Sequence, residues 1–232
     1  DTLDPIEEDF VDKVVIEENI YYFRLAYVCE QLSGAPIIST YSNVASTKMV
    51  AYTNASEWAK TELDEADQKG LIPDSLKGVD MTKPITREEF AELAVRLYEK
   101  TTGEAIVPSV NPFTDTTNAE ILKAYKVGIT AGISDTAFAP KQLTNREQVA
   151  TMLSRTIRKM APDGDFSTTG APTFTDEDKI SSWALEHVLY MAKKGIIKGS
   201  DGKFMPKAVT TMETASGYAT TTREQAVAMS LR

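Results

Sequence analysis

The sequence predicts a mainly α-helical repeat protein, and three observations carry that prediction. A four-residue phrase, Thr or Asn followed by Arg, Glu and then Glu or Gln, occurs at positions 86–89, 145–148 and 222–225. Each copy opens a run in which apolar residues recur with the 3.6-residue period of a helix. Upstream of each copy, another helical pattern ends at a glycine, where helices commonly stop. A unit of roughly 60 residues that recurs three times is typical of a repeat architecture.

The phrase has the form of a capping box. The Thr or Asn side chain accepts a hydrogen bond from a backbone N–H of the first turn, and the Glu or Gln three residues later reaches back to the cap. Arg87, Arg146 and Arg223 then stand at the first helical position, where the helix dipole disfavours a cation by some tenths of a kcal/mol. Because a helix N-terminus also attracts anions, three such arginines favour contact with an anionic ligand over the alternative, a solvated Arg beside a cap.

The three units have the same predicted order: a first helix, an exit loop, and a second helix that opens on the phrase. Repeat 1 is predicted over residues 52–103, repeat 2 over 111–160 and repeat 3 over 173–232. The path to the third phrase is longer than the others, which predicts an insertion near 207–219 with room for one helical turn. The segments between repeats are rich in Pro, Gly, Ser and Thr and are predicted to be surface linkers.

Residues 1–51 are predicted to be an N-terminal helical segment, with its helix over Glu17 to Ser33. When this segment is aligned with the second helix of repeat 1, Gly34 falls on Gly103 and Glu18 falls opposite Arg87. It therefore has the pattern of a degenerate half-repeat that has lost its arginine. Residues 37–50 show no strong period, and we expect a short extended segment there.

Composition limits the classes of function. The 232 residues are 42% hydrophobic and 25% charged, which is typical of a folded soluble protein. The formal net charge of -9, with no basic tract, argues against nucleic acid as a partner. No stretch approaches the roughly 20 apolar residues of a membrane span, so we expect no membrane insertion. Cys29 is the only cysteine, which excludes an internal disulfide, and the opening on Asp1 suggests a processed or excised chain.

The order of landmarks in repeat 3 resembles that of an S-layer homology repeat. It runs Phe-Thr-Asp, Trp-Ala, Gly-Ile-Ile-x-Gly, Asp-Gly-x-Phe-x-Pro and Thr-Arg-Glu, at residues 174–176, 183–184, 195–199, 201–206 and 222–224. The resemblance extends over about three-quarters of the chain, from residue 52 to residue 232. A motif of several parts in fixed order is specific, whereas any one part alone is weak.

This resemblance implies a pseudo-threefold, mainly helical bundle of three repeats, with short loops or minor strands between helices and a groove between neighbouring repeats. It implies a secreted bacterial protein, held non-covalently at the extracellular cell wall or cell surface. The implied ligand is an acidic, often pyruvylated, secondary cell-wall polymer, so the module is expected to bind carbohydrate. The family's binding arginine falls on Arg87, Arg146 and Arg223.

The repeats also depart from this pattern. Thr116 stands near the position that Trp58 and Trp183 hold in the other repeats, which predicts a first helix one turn shorter in repeat 2. Repeat 1 has Pro73-Asp74 where the second glycine of Gly-Ile-Ile-x-Gly belongs, and repeat 3 carries the insertion before its Arg. We therefore do not expect three equivalent grooves.

Six further residues are candidates for ligand binding, each with a structural alternative. Trp58 and Trp183 offer aromatic faces to a sugar or anchor the core at a helix start. Asp115 and Asp176 offer acceptors to sugar hydroxyls, although capping or turn formation is the commoner role. Gly132 and Gly199 let a ligand approach the backbone or supply a positive φ.

No catalytic or metal-binding motif is recognisable. There is no nucleophile elbow, phosphate loop or zinc motif, and the acidic residues around position 176 lack calcium-loop spacing. His187 lies in mid-helix and is expected to be structural. We therefore predict a protein that is not an enzyme and needs no cofactor or metal. The alternative function is a degenerate repeat scaffold for protein–protein interaction or self-association, with the arginines paired to carboxylates of the same chain.

Overall fold

The structure is a computed structural model that describes residues 22–23, 26, 28–29, 37–38, 45–46 and 51–232. The chain divides into two compact units, Asp1–Val50 and Ala51–Arg232. In the first unit, β1 (Tyr22–Phe23) pairs antiparallel with β4 (Ala45–Ser46), and β2 (Val28–Cys29) pairs antiparallel with β3 (Ile37–Ile38).

These strands correct the predicted helix over Glu17 to Ser33. Tyr22, Phe23, Val28 and Cys29 are in strands, and the other predicted helical positions lie outside the described residues except for Ala26, which is in neither element. Aromatic and β-branched residues fit a pleated surface as well as a helix, so their spacing alone could not decide between the two. The extended segment expected within residues 37–50 agrees with β3 and β4.

The second unit is mainly helical, as predicted. The structure between residues 51 and 232 contains seven α-helices: α1 Glu57–Gln68, α2 Arg87–Thr102, α3 Ala119–Lys126, α4 Arg146–Met160, α5 Ser182–Lys193, α6 Thr211–Ala215 and α7 Arg223–Leu231. Short 3-10 helices cover Asp74–Leu76 and Glu177–Lys179. The first helices of the repeats are α1, α3 and α5, and the second helices are α2, α4 and α7.

The helix starts follow the sequence closely. Thr86, Asn145 and Thr222 each accept from the backbone N–H three residues on, and the Glu or Gln at that position accepts from the cap's own N–H. The three predicted capping boxes are thus confirmed. The helix α3 has 8 residues against 12 in α1 and 12 in α5, in line with the shorter helix expected from Thr116. The helix α6 lies within the insertion at 207–219.

The segments just before the three phrases are joined in a closed ring of backbone hydrogen bonds. The Ile85 N–H donates to the Thr221 carbonyl at 2.9 Å, the Thr221 N–H to the Thr144 carbonyl at 3.4 Å, and the Thr144 N–H to the Ile85 carbonyl at 3.0 Å. The phrase arginines repeat the cycle: the backbone N–H of Arg87 donates to Gln142, that of Arg146 to Ala219 and that of Arg223 to Lys83. Each repeat therefore bonds to both of the others.

Helix packing follows the same cyclic order. The second helix of each repeat packs on the first helix of the next, in the pairs α2 with α3, α4 with α5, and α7 with α1. The helix α2 also packs against α4 and α7. The core between them contains three fully buried phenylalanines, Phe90, Phe138 and Phe204, together with Leu63 and Leu93. No repeat encloses its own core, so each depends on its neighbours for burial of its apolar face.

Candidate functional site: clefts between the repeats

The glutamate of the phrase links successive repeats. Glu147, which is 1% exposed, accepts from the Ser181 N–H and from the Ser181 hydroxyl, both at 2.9 Å, and so caps α5 of the next repeat. Glu224 accepts from the N–H and hydroxyl of Ser56 at 2.9 and 2.8 Å, and so caps α1. A helix N-terminus favours a carboxylate at this position, because its first N–H groups have no partner within the helix.

The third glutamate, Glu88, has no such role. Asn118 caps α3 with its own side chain, which accepts from the Glu120 N–H at 2.9 Å. The carboxylate of Glu88 instead pairs with the exposed side chain of Lys141. The shortened helix α3 therefore lacks the glutamate cap that α1 and α5 receive.

Two clefts of one design lie beside these links. Each is built from the phrase arginine of one repeat, the exit loop and second helix of the next repeat, and the tryptophan that begins the first helix of the third. The Arg87 cleft, of about 420 Å³, is lined by Arg87, residues 130–133, α4 and Trp183. The Arg146 cleft, of about 130 Å³, is lined by Arg146, residues 196–198, α7 and Trp58.

Arg87 is held rigidly in its cleft. It is 6% exposed, its Nε donates to the Phe138 carbonyl at 3.0 Å, and its Nη2 donates to the Ala131 carbonyl at 2.9 Å. Its guanidinium lies 4.7 Å from the centroid of the Phe138 ring. Burial lowers the pKa of Arg87, partly opposed by the charge of Asp115. The guanidinium remains protonated, since arginine does not lose its proton in proteins.

Arg146 retains the largest unused hydrogen-bonding capacity of the three phrase arginines. Its Nη2 donates to the Lys198 carbonyl at 3.1 Å, but its buried Nε has no hydrogen-bond partner in the described part of the chain. No carboxylate there pairs with it, and burial lowers its pKa. A buried N–H without an acceptor costs about 1–3 kcal/mol, so an anion that entered this cleft would meet an unsatisfied cationic donor.

Arg223 differs from the other two because a carboxylate neutralises it. Its Nη2 donates to Glu89 at 2.6 Å, its Nε lies 3.2 Å from both Glu89 oxygens, and its Nη1 donates to the Asp80 carbonyl at 3.1 Å. The other two phrases have Gln148 and Gln225 where the first has Glu89. Because the first phrase has Glu89 where the others have Gln, Arg223 is paired with a carboxylate of the protein itself.

The remaining space between α2 and α3 is a polar cleft of about 330 Å³ that Arg223 does not line. No tryptophan lines it either, since repeat 2 has Thr116 at that position. The cleft holds both signs of charge, with Lys123 paired to Glu99 at 3.2 Å and to Glu120 at 2.8 Å. It therefore lacks the aromatic wall and the unpaired arginine of the other two clefts.

The two tryptophans lie on the surface of the clefts. Trp58 and Trp183 are each 51% exposed, so each presents much of its indole ring to the cleft it lines. Of the two roles considered for them, groove wall and core anchor, this exposure favours the groove wall. Their role in ligand binding stays a prediction.

The two aspartates stabilise loops. Asp176 accepts from the N–H groups of Phe204 and Met205 at 2.7 and 2.8 Å. Asp115 accepts from Phe138 and Ala139 in the same way, and these hydrogen bonds lower the pKa of its carboxyl. Neither lines the Arg87 or Arg146 cleft, so the geometry favours the turn-forming role for both.

The two glycines are needed for close packing within their own loops. A Cβ on Gly132 would lie 2.3 Å from the Ser134 carbonyl oxygen, and one on Gly199 would lie 2.3 Å from that of Lys203. Neither residue has a positive φ. Gly132 lines the Arg87 cleft, whereas Gly199 lies outside the lining of the Arg146 cleft. The loops they shape still supply the carbonyls that hold Arg87 and Arg146.

The sequence reasoning missed a second arginine in each cleft. Arg96, Arg155 and Arg232 stand nine positions after the three phrase arginines, and each lines one of the clefts. Arg96 approaches Asp74 at 3.7 Å and Arg232 pairs with Glu62 at 2.8 Å, whereas Arg155 has no carboxylate partner among the residues described. The constant spacing of nine residues is the signal that would have identified them.

His187 is a structural residue at the α4–α5 contact. Its Nδ1 lies 2.9 Å from the Ser154 hydroxyl. Burial lowers the pKa of His187, and the positive charges of Arg155 and Arg158 lower it further. The imidazole is therefore neutral near pH 7 and contributes no charge to the Arg87 cleft.

Neither a metal-holding cluster nor a membrane-spanning helix occurs among the described residues. They contain no group of three or more His, Cys, Asp or Glu side chains able to hold a metal ion. None of their helices is both long enough and apolar enough to cross a bilayer.

The fold and the clefts define a class: a mainly helical module with arginine-bearing clefts between its helices. The model of the family described as "S-layer homology domain" matches residues 112–150 and 173–211. The resemblance stated from the sequence landmarks is thus confirmed at those two segments.

Several characterised proteins are similar to this chain. An endoglucanase of Bacillus sp. (strain KSM-635) is 30% identical over 125 residues, 50% of this chain and 13% of that protein. The exoglucanase XynX of Acetivibrio thermocellus is 26% identical over 73% of this chain and 16% of its own length. An amylopullulanase of Thermoanaerobacterium thermosulfurigenes is 28% identical over 68% of this chain and 9% of its own. The chain thus spans a small part of each relative. The family match and these relatives indicate association with the bacterial cell surface.

Proposed function

We propose that this chain anchors an exported bacterial protein to the cell wall by binding an acidic secondary cell-wall polymer in the clefts between its repeats. The three repeats act as a pseudo-threefold bundle in which each cleft is shared by all of them. The observation that carries the proposal is the Arg146 cleft, where a guanidinium with an unpartnered buried Nε lies beside the half-exposed Trp58.

The chemistry of the cleft fits an acidic sugar. A carboxylate, such as that of a ketal-linked pyruvate, accepts charge-assisted hydrogen bonds from a planar guanidinium more strongly than a neutral group does. An indole face packs on the C–H surface of a pyranose, and loop carbonyls accept from its hydroxyls. The Arg87 cleft has the same parts, with Arg87 fixed by the carbonyls of Ala131 and Phe138.

We infer that two clefts bind the polymer and that the third does not. Glu89 already occupies the guanidinium of Arg223, and a ligand carboxylate would have to displace it. The wall that Trp58 and Trp183 supply elsewhere is missing between α2 and α3. The net charge of -9 also opposes an anionic ligand wherever no local unpaired cation offsets it.

We propose further that the chain is not itself an enzyme, and that catalysis belongs to whatever else the full protein contains. The Arg87 and Arg146 clefts are lined by arginines, tryptophans and amides but by no carboxylate, so neither offers a carboxylate pair for general acid and base work. The three relatives are named as glycan-degrading enzymes, but this chain corresponds to at most 16% of any one of them.

Co-sedimentation with sacculi tests the proposal. The chain is mixed with peptidoglycan sacculi that retain their secondary polymer or have lost it to hydrofluoric acid, and the pellet is assayed. We expect pelleting only with intact sacculi. Arg146→Lys and Arg87→Lys should weaken it because the planar fork is lost, whereas Arg223→Lys is the matched control and should leave it unchanged. Undiminished pelleting of the Arg87→Lys, Arg146→Lys double variant would refute the role of these arginines.

The second candidate function is a scaffold for protein–protein interaction or self-association. The Arg223–Glu89 pair favours it locally, because that arginine is used inside the protein. The two functions respond differently to ligand. If the clefts bind glycan, free pyruvylated saccharide should displace the chain from sacculi. If the chain associates with protein, the saccharide should have no effect. Self-association should instead appear as a molecular mass that increases with protein concentration in sedimentation velocity runs.

A further inference from the structure

A basic pocket adjoins the Arg87 cleft and has no part in the function proposed above. It lies between the end of α3 and the C-terminal half of α4, has a volume of about 370 Å³, and is lined by Gly128, Arg155, Arg158, Lys159, Pro162 and Phe166. Three of these six residues are cationic and none is acidic. Such a concentration of positive charge is unusual for a chain with a net charge of -9.

The pocket and the Arg87 cleft share one lining residue. Arg155 lines both, with Arg87 and Trp183 on one side of it and Arg158 on the other. Within residues 51–232, Arg155 forms neither a hydrogen bond nor an ion pair through its side chain, although it is only partly exposed. A ligand that filled the Arg87 cleft and continued past Arg155 would enter the basic pocket without leaving the protein surface.

The two other cations differ in how firmly they are held. Arg158 is fixed, because it pairs with Glu186 and its guanidinium lies 4.7 Å from the Phe166 centroid and 5.9 Å from that of Tyr190. Its buried Nε has no acceptor in the described part of the chain. Lys159 is exposed and forms no ion pair there. The pocket thus offers one buried donor without an acceptor, on an arginine that Glu186 already pairs, together with one exposed cation and an aromatic floor.

We propose that this basic pocket binds a second anionic group of the same polymer chain whose first acidic sugar lies in the Arg87 cleft. The inference rests on the proposed function and extends it: the ligand is a polyanion, and the protein contacts at least two of its acidic units. A carboxylate and a phosphate share the chemistry that Arg158 and Lys159 recognise. The polymer binds along α4, with Arg155 between the two units.

Repeat 1 supplies a matched control, because it lacks the central arginine of this pocket. Arg96, Glu99 and Lys100 stand where α4 has Arg155, Arg158 and Lys159. Glu99 replaces the central arginine with an acid and pairs with Lys123 at 3.2 Å. Lys100 is exposed like Lys159 and stands at the same position of its helix, 13 residues after the phrase arginine, so Lys100→Glu makes the same change of charge outside the pocket.

The test measures binding against the length of the ligand. Polymer fragments released from the intact sacculi are separated into those with one acidic group and those with three or more, and each is titrated into the chain by calorimetry. Lys159→Glu should lower the affinity for the longer fragments about five- to tenfold, because the attraction between the exposed lysine and the second anionic group becomes a repulsion of similar size. It should leave the single-group fragments within about twofold of wild type. Lys100→Glu should change neither, and melting temperatures confirm that both variants fold.

Each outcome decides the inference. Equal binding of the longer fragments by Lys159→Glu and Lys100→Glu would overturn it, while the proposed function would stand on the Arg146 and Arg87 variants. A wild-type chain that binds neither intact sacculi nor any fragment would overturn both. Phosphatase treatment of the longer fragments identifies the second group: loss of the difference between the two lysine variants indicates a phosphate, and a difference that persists indicates a carboxylate.

Discussion

The glutamates of the three phrases offer a direct test of how the repeats are joined. Glu147→Gln keeps the size of a side chain that is 1% exposed but removes its charge. The carboxylate accepts from both the N–H and the hydroxyl of Ser181, and Lys207 lies 3.4 Å away. The amide of Gln accepts one of these bonds and turns a donor toward the other. The link between repeats 2 and 3 is therefore weakened without leaving a cavity.

The expected cost follows from the bonds lost. A hydrogen bond to a charged group is worth about 1.5–3 kcal/mol, and losing one in a buried position gives a destabilisation of about 2 kcal/mol. In a folded unit of this size, that lowers the melting temperature by about 4–8 °C. Glu224→Gln should behave similarly, because Glu224 makes the same two bonds to Ser56.

Glu88→Gln is the control that the chain itself supplies. Glu88 holds the same place in its phrase, but its carboxylate pairs only with the exposed Lys141, and a surface pair contributes about 0–1 kcal/mol. Thermal unfolding followed by circular dichroism should rank Glu147→Gln and Glu224→Gln well below Glu88→Gln. If the three variants melted together, the phrase glutamates would not be the inter-repeat links inferred from the structure.

Three further predictions concern the clefts and their supports. Calorimetry with wall-polymer fragments should give two binding sites per chain, because Glu89 pairs with Arg223 and keeps that arginine from a ligand. A third site in the wild-type chain would contradict this. Glu89→Gln removes the paired carboxylate and is the variant expected to gain a third site. The pKa of His187 lies below its usual 6.5, so the unfolded chain takes up a proton first as the pH falls. Stability should therefore decline below about pH 6.5, and His187→Gln should reduce the difference in melting temperature between pH 7.5 and pH 5; an unchanged difference would count against this role. Gly199→Ala should destabilise the fold by about 1–3 kcal/mol, since its Cβ would meet the Lys203 carbonyl at 2.3 Å, and a melting point equal to that of wild type would show that the loop yields.

Much of the helical unit was readable from the sequence because its signals are local. A capping box and a helix-ending glycine each act within one turn, so the starts of α2, α4 and α7 could be located residue by residue. The sequence of residues 1–51 has no capping box to mark where a helix would begin. Its aromatic and β-branched residues fit two periods, and the predicted helix there was wrong at β1 and β2.

The composition of the clefts was harder to predict because it depends on which repeats meet. The sequence identified Arg87, Arg146, Trp58 and Trp183, but it could not show that each arginine faces the tryptophan of a repeat two units further on. Nor could it show that Glu89 lies against Arg223, 134 positions away in the chain. Such pairings arise from the way the helices pack on one another, and no local sequence pattern predicts that packing.

Three departures from the repeat pattern lie far apart in the sequence but meet at one cleft. Repeat 2 lacks the tryptophan, and repeat 1 has Pro73-Asp74 and Glu89. Because each cleft combines an arginine from one repeat, a loop and helix from the next and a first helix from the third, these three changes fall on the space between Arg223, α2 and α3. The insertion in repeat 3 lies elsewhere, since the residues that flank it bond to the start of α4. The other two clefts keep every part. Loss confined in this way is what we expect if the Arg87 and Arg146 clefts remain in use, whereas general decay of the repeats would have damaged all three.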